Sequence, residues 1–269
     1  LSRTIAILGC GWLGLPLAKT LVTDGFKVKG STTSPEKLKV LEEAGILGYN
    51  ISLTEEAVHG EIHNFLAGAD VLIINIPPQL RQRNAQNYVQ KMQYLHKAVK
   101  ASETRKVIFA SSTSVYGEME GEVTEDSTPL PTTESGRQLL ESERLFISDK
   151  ELATTIIRLG GLLGPKRHPV NMLAGRKLTT NGKVYTNLVH LDDVIRVIQA
   201  IVTHNWWNEL FNIVYPEHPF KQEYYRQEAK KRGLVPPKYE GTGTKKGKKI
   251  LSSRLILVKK FRFNTSILS

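Results

Sequence analysis

Three groups of side chains in this 269-residue chain have types and spacing suited to chemistry. The first is Gly9-Cys10-Gly11-Trp12-Leu13-Gly14, led by the apolar run Ile5-Ala6-Ile7-Leu8 and followed by Leu15 to Val22, which reads as a helix. G-x-G-x-x-G between a buried strand and a helix makes a cradle for pyrophosphate. Gly9 allows the turn, Gly11 lets the backbone approach phosphate, and Gly14 lets the helix pack close on the strand. Cys10, Trp12 and Leu13 complete the loop. The bare pattern also recurs in other glycine-rich turns, so the flanking strand and helix carry the inference. The second group is Ser31-Thr32-Thr33-Ser34-Pro35, with no carboxylate between Asp24 and Glu36 to grip a ribose 2′-hydroxyl. Ser31, Thr32 and Thr33, with Lys37 one turn on, suit a 2′-phosphate, so NADP is expected, with NAD as the alternative. Ser34 is expected to cap a helix opening at Pro35. The third group is the strand end Val107 to Gly117, which presents Ser111, Ser112 and Tyr116. His168, in a Pro/Gly-bounded loop, adds the side chain most able to exchange a proton near pH 7.

The elements needed to position these groups alternate strand and helix, which implies parallel strands with helical crossovers. Strands are expected at 4–8, 26–30, 46–51, 71–76, 106–111 and 154–159, with helices at 12–24, 35–44, 84–101 and 135–148. Later segments read as helix 191–202, strand 210–214, helix 220–232 and a Gly/Lys-rich loop at 240–249. The fold class is α/β, a Rossmann-type doubly wound parallel sheet with a small C-terminal substrate lobe. Residues 1–165 form the core and 166–269 mostly the lobe, with 184–214 returning partly to the core. A cofactor at the strand C-termini would be lined by Asn75, Ile76 and Pro77, by Ser111, and by Gly160, Gly161 and Leu162.

Hydrophobic residues make up 40% of the chain, enough for one large domain with a small lobe. No apolar run nears eighteen residues, so no membrane partner is expected. The chain enters its first strand within four residues, so no leader is expected either. One cysteine excludes an internal disulfide and a cysteine-based zinc cluster, no metal site is expected, and the expected location is cytoplasmic. Net charge is +11, concentrated at Lys245, Lys246, Lys248 and Lys249 and at Lys259, Lys260 and Arg262. No nucleic-acid recognition motif accompanies these lysines, so nucleic acid is not expected as a partner. A solvated loop face, or a field favouring an anionic cofactor and substrate, accounts for them. Arg158, Arg167 and Lys177 point the same way.

Together these motifs resemble the extended short-chain dehydrogenase/reductase family. Further matches are Glu125-Asp126 before Pro129 and Pro131, Ile157 to Pro165, and Val189-His190-Leu191-Asp192-Asp193-Val194. The resemblance covers nearly the whole chain. It implies that Ser112 hydrogen-bonds the reacting carbonyl or hydroxyl oxygen. It also implies a Y-x-x-x-K pair, the tyrosine as general acid or base and the lysine lowering its pKa. Here Ser135 stands at the tyrosine position and Leu139 at the lysine position, while Glu143 keeps the acidic residue that follows. Leu139 suits the apolar face of its helix with Leu140, Phe146 and Ile147. The usual relay is therefore absent.

That replacement, with Gly9 to Ala18, Gly164-Pro165-Lys166-Arg167-His168-Pro169 and Asn187 to Val194, is similar to the YeeZ-type proteins. They form an atypical subgroup of NAD(P)-dependent epimerase/dehydratase relatives. The expected function is an oxidoreductase or epimerase-like enzyme acting on a small, anionic hydroxyl or keto substrate. Ser112 would polarise the oxygen, and proton transfer would fall to Tyr116, His168 or water. The alternative is a non-catalytic NADP(H)-binding sensor or regulatory module. Relatives also imply a homodimer packed through helices 84–101 and 135–148. Cys10 is expected to be packed or cofactor-lining, at a helix N-terminus that lowers thiol pKa.

Overall fold

The computed structural model describes residues 3–78 and 86–268. In chain order the elements begin β1 (Thr4–Leu8), α1 (Gly14–Thr23), β2 (Lys27–Thr32), α2 (Leu38–Glu43), β3 (Leu47–Leu53), β4 (Val58–Gly60), α3 (Ile62–Leu66) and β5 (Val71–Ile74). They continue with α4 (Tyr88–Lys100), β6 (Lys106–Ser112), β7 (Gly121–Val123), α5 (Glu134–Ile147), β8 (Ala153–Leu159), β9 (Gly161–Leu163) and α6 (Val170–Leu173). The last are β10 (Lys177–Asn181), β11 (Leu188–His190), α7 (Leu191–His204), β12 (Leu210–Ile213), α8 (Lys221–Lys231), β13 (Lys238–Gly241) and β14 (Lys248–Ile250).

An eight-stranded sheet runs in the order β12-β8-β6-β5-β1-β2-β3-β4. β1 pairs in parallel with β2 and with β5, and the ladder continues in parallel to β3 on one side and β6 on the other. From β1 the chain builds outward through β2 and β3, then returns to β5 and builds the other way. That reversal leaves a crevice at the C-terminal ends of β1 and β5, where α/β sheets bind ligands. Strands covered on both faces need continuous apolar runs. Ile5, Ala6, Ile7 and Leu8 on β1, and all of β5, are accordingly buried.

Several boundaries differ from the sequence reading. The first helix starts at Gly14 and not at 12, because Gly11 to Leu13 form the turn. The stretch 35–44 is a 3₁₀ turn, Pro35–Lys37, followed by α2, and Ser34 makes no side-chain capping bond. Of the helix expected at 84–101, residues 84 and 85 lie outside the described residues. Its start is set at Tyr88 by Asn87, whose side chain accepts from the Val89 and Gln90 N–H groups at 2.9 and 3.2 Å. The loop expected at 240–249 holds the end of β13 and the start of β14. Three-residue strands such as β7 and β14 are too short to show periodicity; they form because they pair in parallel, Lys248 opposite Gly121.

The chain divides into two compact units. The first comprises Leu1–Val115, Pro131–Ile157 and Ile198–Leu210; the second comprises Tyr116–Leu130, Arg158–Val197 and Phe211–Ser269. An apolar cluster in the second unit includes Leu163, Val170, Leu188, Tyr224, Tyr225 and Ala229. Buried Asp193 accepts from the backbone N–H groups of Asn264 and Thr265 at 3.0 and 2.9 Å, tying the C-terminal segment to this unit. Trp206 and Trp207 belong to the first unit, where Lys106 sits over the Trp207 ring.

Candidate functional site

In the first unit the glycine loop is held by two polar side chains. The Ser31 Oγ accepts the Gly9 N–H at 2.9 Å, and the Ser31 carbonyl accepts the Cys10 N–H at 2.8 Å. Asn75, just past β5, donates its amide to the Gly9 carbonyl at 3.0 Å. β1, β2 and β5 thus each contribute to fixing one turn. Gly9 has a φ of 105°, and a Cβ there would lie 2.6 Å from the Asn75 carbonyl oxygen. A Cβ on Gly14 would lie 2.1 Å from the Gly9 carbonyl oxygen. Neither position tolerates a side chain. A Cβ on Gly11 would instead meet nothing within 4 Å. The middle glycine is therefore not required by the protein's own packing, as expected if the space above it belongs to a ligand.

Cys10 is buried and its Sγ lies 3.8 Å from the Ile7 carbonyl. Burial pushes its thiol up to about 12, so the lowering expected from the helix N-terminus does not occur. Among the hydroxyls, Ser31 is committed to Gly9. Thr32 accepts the Ser34 N–H at 3.1 Å and closes a local turn. Thr33 and Lys37 are exposed. Ile76 offers its carbonyl to the buried Tyr88 hydroxyl at 2.8 Å, and Pro77 is exposed beside it.

At the end of β6, buried Ser111 donates to Glu143 of α5 at 2.5 Å. Ser112 is half-buried, and its Oγ accepts the Ser114 N–H at 3.1 Å. Leu139, on the same helix as Glu143, is 3% exposed. Gly136 lies under the Ser114 carbonyl, 2.9 Å from where its Cβ would be, which lets the first turn of α5 approach that loop.

In the second unit Tyr116 is fully buried. Its hydroxyl donates to Asn212 Oδ1 at 2.8 Å, and the Arg158 guanidinium lies 4.9 Å from its ring centre. Burial holds its pKa above the usual phenol range. Gly160 is required by the close approach of the Asn187 backbone, while a Cβ on Gly161 would meet the Leu188 side chain at 2.7 Å. A Cβ on Gly160 would lie 2.8 Å from the Asn187 carbonyl oxygen, and β9 pairs with β11, Leu162 opposite Val189. His168 sits in a separate network. Its Nδ1 accepts the Val170 N–H at 3.2 Å, which places the ring proton on Nε2, 3.0 Å from the Tyr224 hydroxyl. Tyr224 in turn donates to the Ile267 carbonyl at 3.0 Å. Burial, with the nearby Arg232 charge, lowers the His168 pKa to about 4, against the raising effect of Glu228.

Residues 9–205 match the profile of an NAD(P)H-binding family. The chain belongs to that family. Within it, the chain is 36% identical over 255 residues to protein YeeZ of Escherichia coli strain K12, covering 94% of this chain and 93% of YeeZ. Solved structures give the same architecture at lower identity. The UDP-glucuronic acid 4-epimerase of Bacillus cereus in complex with NAD superposes with a TM-score of 0.81 at 20% identity, over 98% of this chain and 93% of that one. MoeE5 in complex with UDP-glucuronic acid and NAD gives 0.80 at 21% identity, over 99% and 95%.

The tight turn at Gly9 to Gly14 was legible from glycine spacing between a strand and a helix. The bonds that hold it were not: Ser31 and Asn75 were read only as cofactor contacts, and each also bonds the Gly9 backbone. Among the described residues no group of three or more His, Cys, Asp or Glu could hold a metal ion, and no helix is long and apolar enough to cross a membrane.

Proposed function

We propose that this protein is an NAD(P)-dependent oxidoreductase of the epimerase/dehydratase kind, in which Ser112 holds the oxygen of a hydroxyl or keto substrate. The carrying observation is the state of the Ser112 hydroxyl. A lone pair already accepts the Ser114 N–H, so the O–H hydrogen is left to donate to an oxygen in front of the strand end. A donor aimed where negative charge develops lowers the barrier to hydride addition at the attached carbon. A bound nicotinamide would supply that hydride to the carbonyl carbon, while the oxygen gains a proton.

The source of that proton differs from the familiar relay. Ser135 and Leu139 take the places of its tyrosine and lysine, and Leu139 is buried among apolar neighbours. Tyr116 is occupied by Asn212 and His168 by Val170 and Tyr224, each within the second unit. We therefore assign the proton to water, with Tyr116 and His168 as structural residues. Gly9 to Gly14, held by Ser31 and Asn75, take the pyrophosphate; Ser111 supports the strand end through Glu143. NADP is favoured over NAD, now on Thr33 and Lys37 with no carboxylate between Asp24 and Glu36, since Ser31 and Thr32 are spent on internal bonds. The relatives solved with UDP-sugars make sugar nucleotides the first substrates to screen, ahead of keto acids.

Thermal shift with NADP, NADPH, NAD and NADH tests the cofactor. A nucleotide at about 100 times its Kd adds about 2.7 kcal/mol of stability. No response to any of the four overturns the reading. Ser112→Ala is expected to keep NADPH affinity and to lose about 10²-fold or more in turnover, the usual loss of one such donor. Turnover unchanged in that variant removes Ser112 from the mechanism. NADPH binding with no turnover across the screen would favour the sensor reading.

A further inference from the structure

In the second unit, β10 and β13 pair in parallel and are entered from the same end. The entering loops turn at Gly175 after α6 and at Gly233 after α8, with φ of 70° and 65°. They are tied to each other. The Gly175 N–H donates to the Val235 carbonyl at 2.8 Å, and the Lys238 N–H donates to the Arg176 carbonyl at 2.9 Å. Successive side chains on a strand point to opposite faces. Leu173, Leu234 and Tyr239 pack on the unit's apolar cluster. Their chain neighbours Met172, Val235 and Lys238 are exposed, the first two at 68% each. Lys177 is exposed as well and stands directly opposite Lys238 in the register.

Like charges facing each other across paired strands weaken the pairing. Glu240 is the only carboxylate on either strand. Among the described residues no hydrogen bond or ion pair engages the side chains of Arg176, Lys177 or Lys238. Other cations of the unit are matched: Lys231 and Arg232 pair with Glu228, and Arg254 with Asp126. One end of this small sheet therefore carries two exposed aliphatic side chains beside three unmatched cations. Two such side chains cover far less than the about 800 Å² that each partner gives to a standard protein interface. A lipid surface asks for less. Short apolar side chains enter the headgroup boundary, while Lys and Arg stay at the anionic headgroups. The charge of the tip and the net charge of +11 both complement an anionic surface. They oppose a second copy of the same chain.

We propose that Met172 and Val235, with Arg176, Lys177 and Lys238 around them, form a tip that docks on an anionic phospholipid surface. The two aliphatic side chains enter the headgroup layer and the three cations meet its phosphate and carboxylate groups. The sequence excluded a membrane partner on the ground that no apolar run is long enough to span; a peripheral contact of this kind needs no span. Lys177, read from the sequence as part of a field for an anionic substrate, is here assigned to the lipid. The proposal stands apart from the chemistry above, since none of these five residues is given to cofactor or substrate there.

The test is co-sedimentation of the full chain with vesicles of phosphatidylcholine alone and of phosphatidylcholine mixed equally with phosphatidylserine. The wild type is expected to sediment with the mixed vesicles only, and less so as salt is raised. Lys177→Glu and Lys238→Glu should each weaken that binding at least about fivefold, and Met172→Ser should weaken it too. The control Lys39→Glu makes the same change in net charge at an exposed lysine of α2 and should bind as the wild type does. Each reversal also sets a carboxylate opposite the remaining lysine, so both variants should melt no earlier than the wild type. Lost binding with an unchanged or higher Tm is a result that unfolding cannot give; if a reversal does unfold, Met172→Ser decides. No sedimentation of the wild type with the mixed vesicles, equal sedimentation with both kinds, or an equal loss in Lys39→Glu overturns the proposal. Binding to polyglutamate without binding to vesicles also overturns it, in favour of an acidic protein segment.

Discussion

Replacing Gly11 and Gly14 in turn by alanine separates a glycine kept for a ligand from one kept for the fold. At Gly14 the new Cβ would lie 2.1 Å from the Gly9 carbonyl oxygen and 3.0 Å from its carbon, both backbone atoms with no rotamer to yield. The helix start must shift, at a cost of about 1–3 kcal/mol, the usual range for overpacking. Alanine's better helix propensity recovers up to about 1 kcal/mol of that. At Gly11 nothing lies within 4 Å and φ is not in the positive region, so alanine fits without strain. It should leave stability unchanged or raise it by about 0.4–1 kcal/mol through a stiffer unfolded chain. In a chain of this size each kcal/mol moves Tm by about 2–4 °C. Differential scanning fluorimetry without nucleotide should show Gly14→Ala melting several degrees early and Gly11→Ala melting with or after the wild type. NADPH titration should then show at least about tenfold weaker binding by Gly11→Ala, since its methyl group occupies the phosphate approach. A Gly11→Ala protein that melts as early as Gly14→Ala, or that binds NADPH as the wild type does, refutes the assignment.

Two predictions concern single side chains. Cys10 should resist thiol reagents such as DTNB at pH 8 in the native protein and react stoichiometrically in denaturant, because burial holds its pKa near 12; rapid native labelling would place it on the surface. His168 should make stability fall with acidity. Above about pH 6.5 the imidazole is neutral in both states; between 6.5 and about 4 the unfolded chain takes up a proton that the folded one refuses. Urea melts should therefore show stability declining across that window, by on the order of 3 kcal/mol at its acid end, and His168→Gln should flatten the slope.

The loop at Gly9–Gly14 could be read from the chain because its constraints are local. A strand end, a positive φ and a helix start lie within ten residues, and residue type reports each of them. The parallel core was legible for a related reason: strands covered on both faces carry continuous apolar runs, as Ile5 to Leu8 of β1, all of β5 and Val107 to Ala110 of β6 do. The reading of Ser135 and Leu139 as replacing a Tyr–Lys pair was likewise a matter of residue identity, and Leu139 is buried as its helical spacing required. Other features depend on pairs far apart in the chain. Ser31 reads as a ligand hydroxyl until β2 is laid beside β1, when its Oγ is found on the Gly9 N–H. Tyr116 and His168 read as acids or bases until Asn212 and Tyr224, 96 and 56 residues away, take their polar atoms. Lys248 belongs by composition to a solvated lysine loop, yet pairing of β14 with β7 draws it half inward and its Nζ onto the Gly117 carbonyl. Residue type declares which groups a side chain is able to bind; which of them it still has free depends on partners that only folding brings within three ångströms.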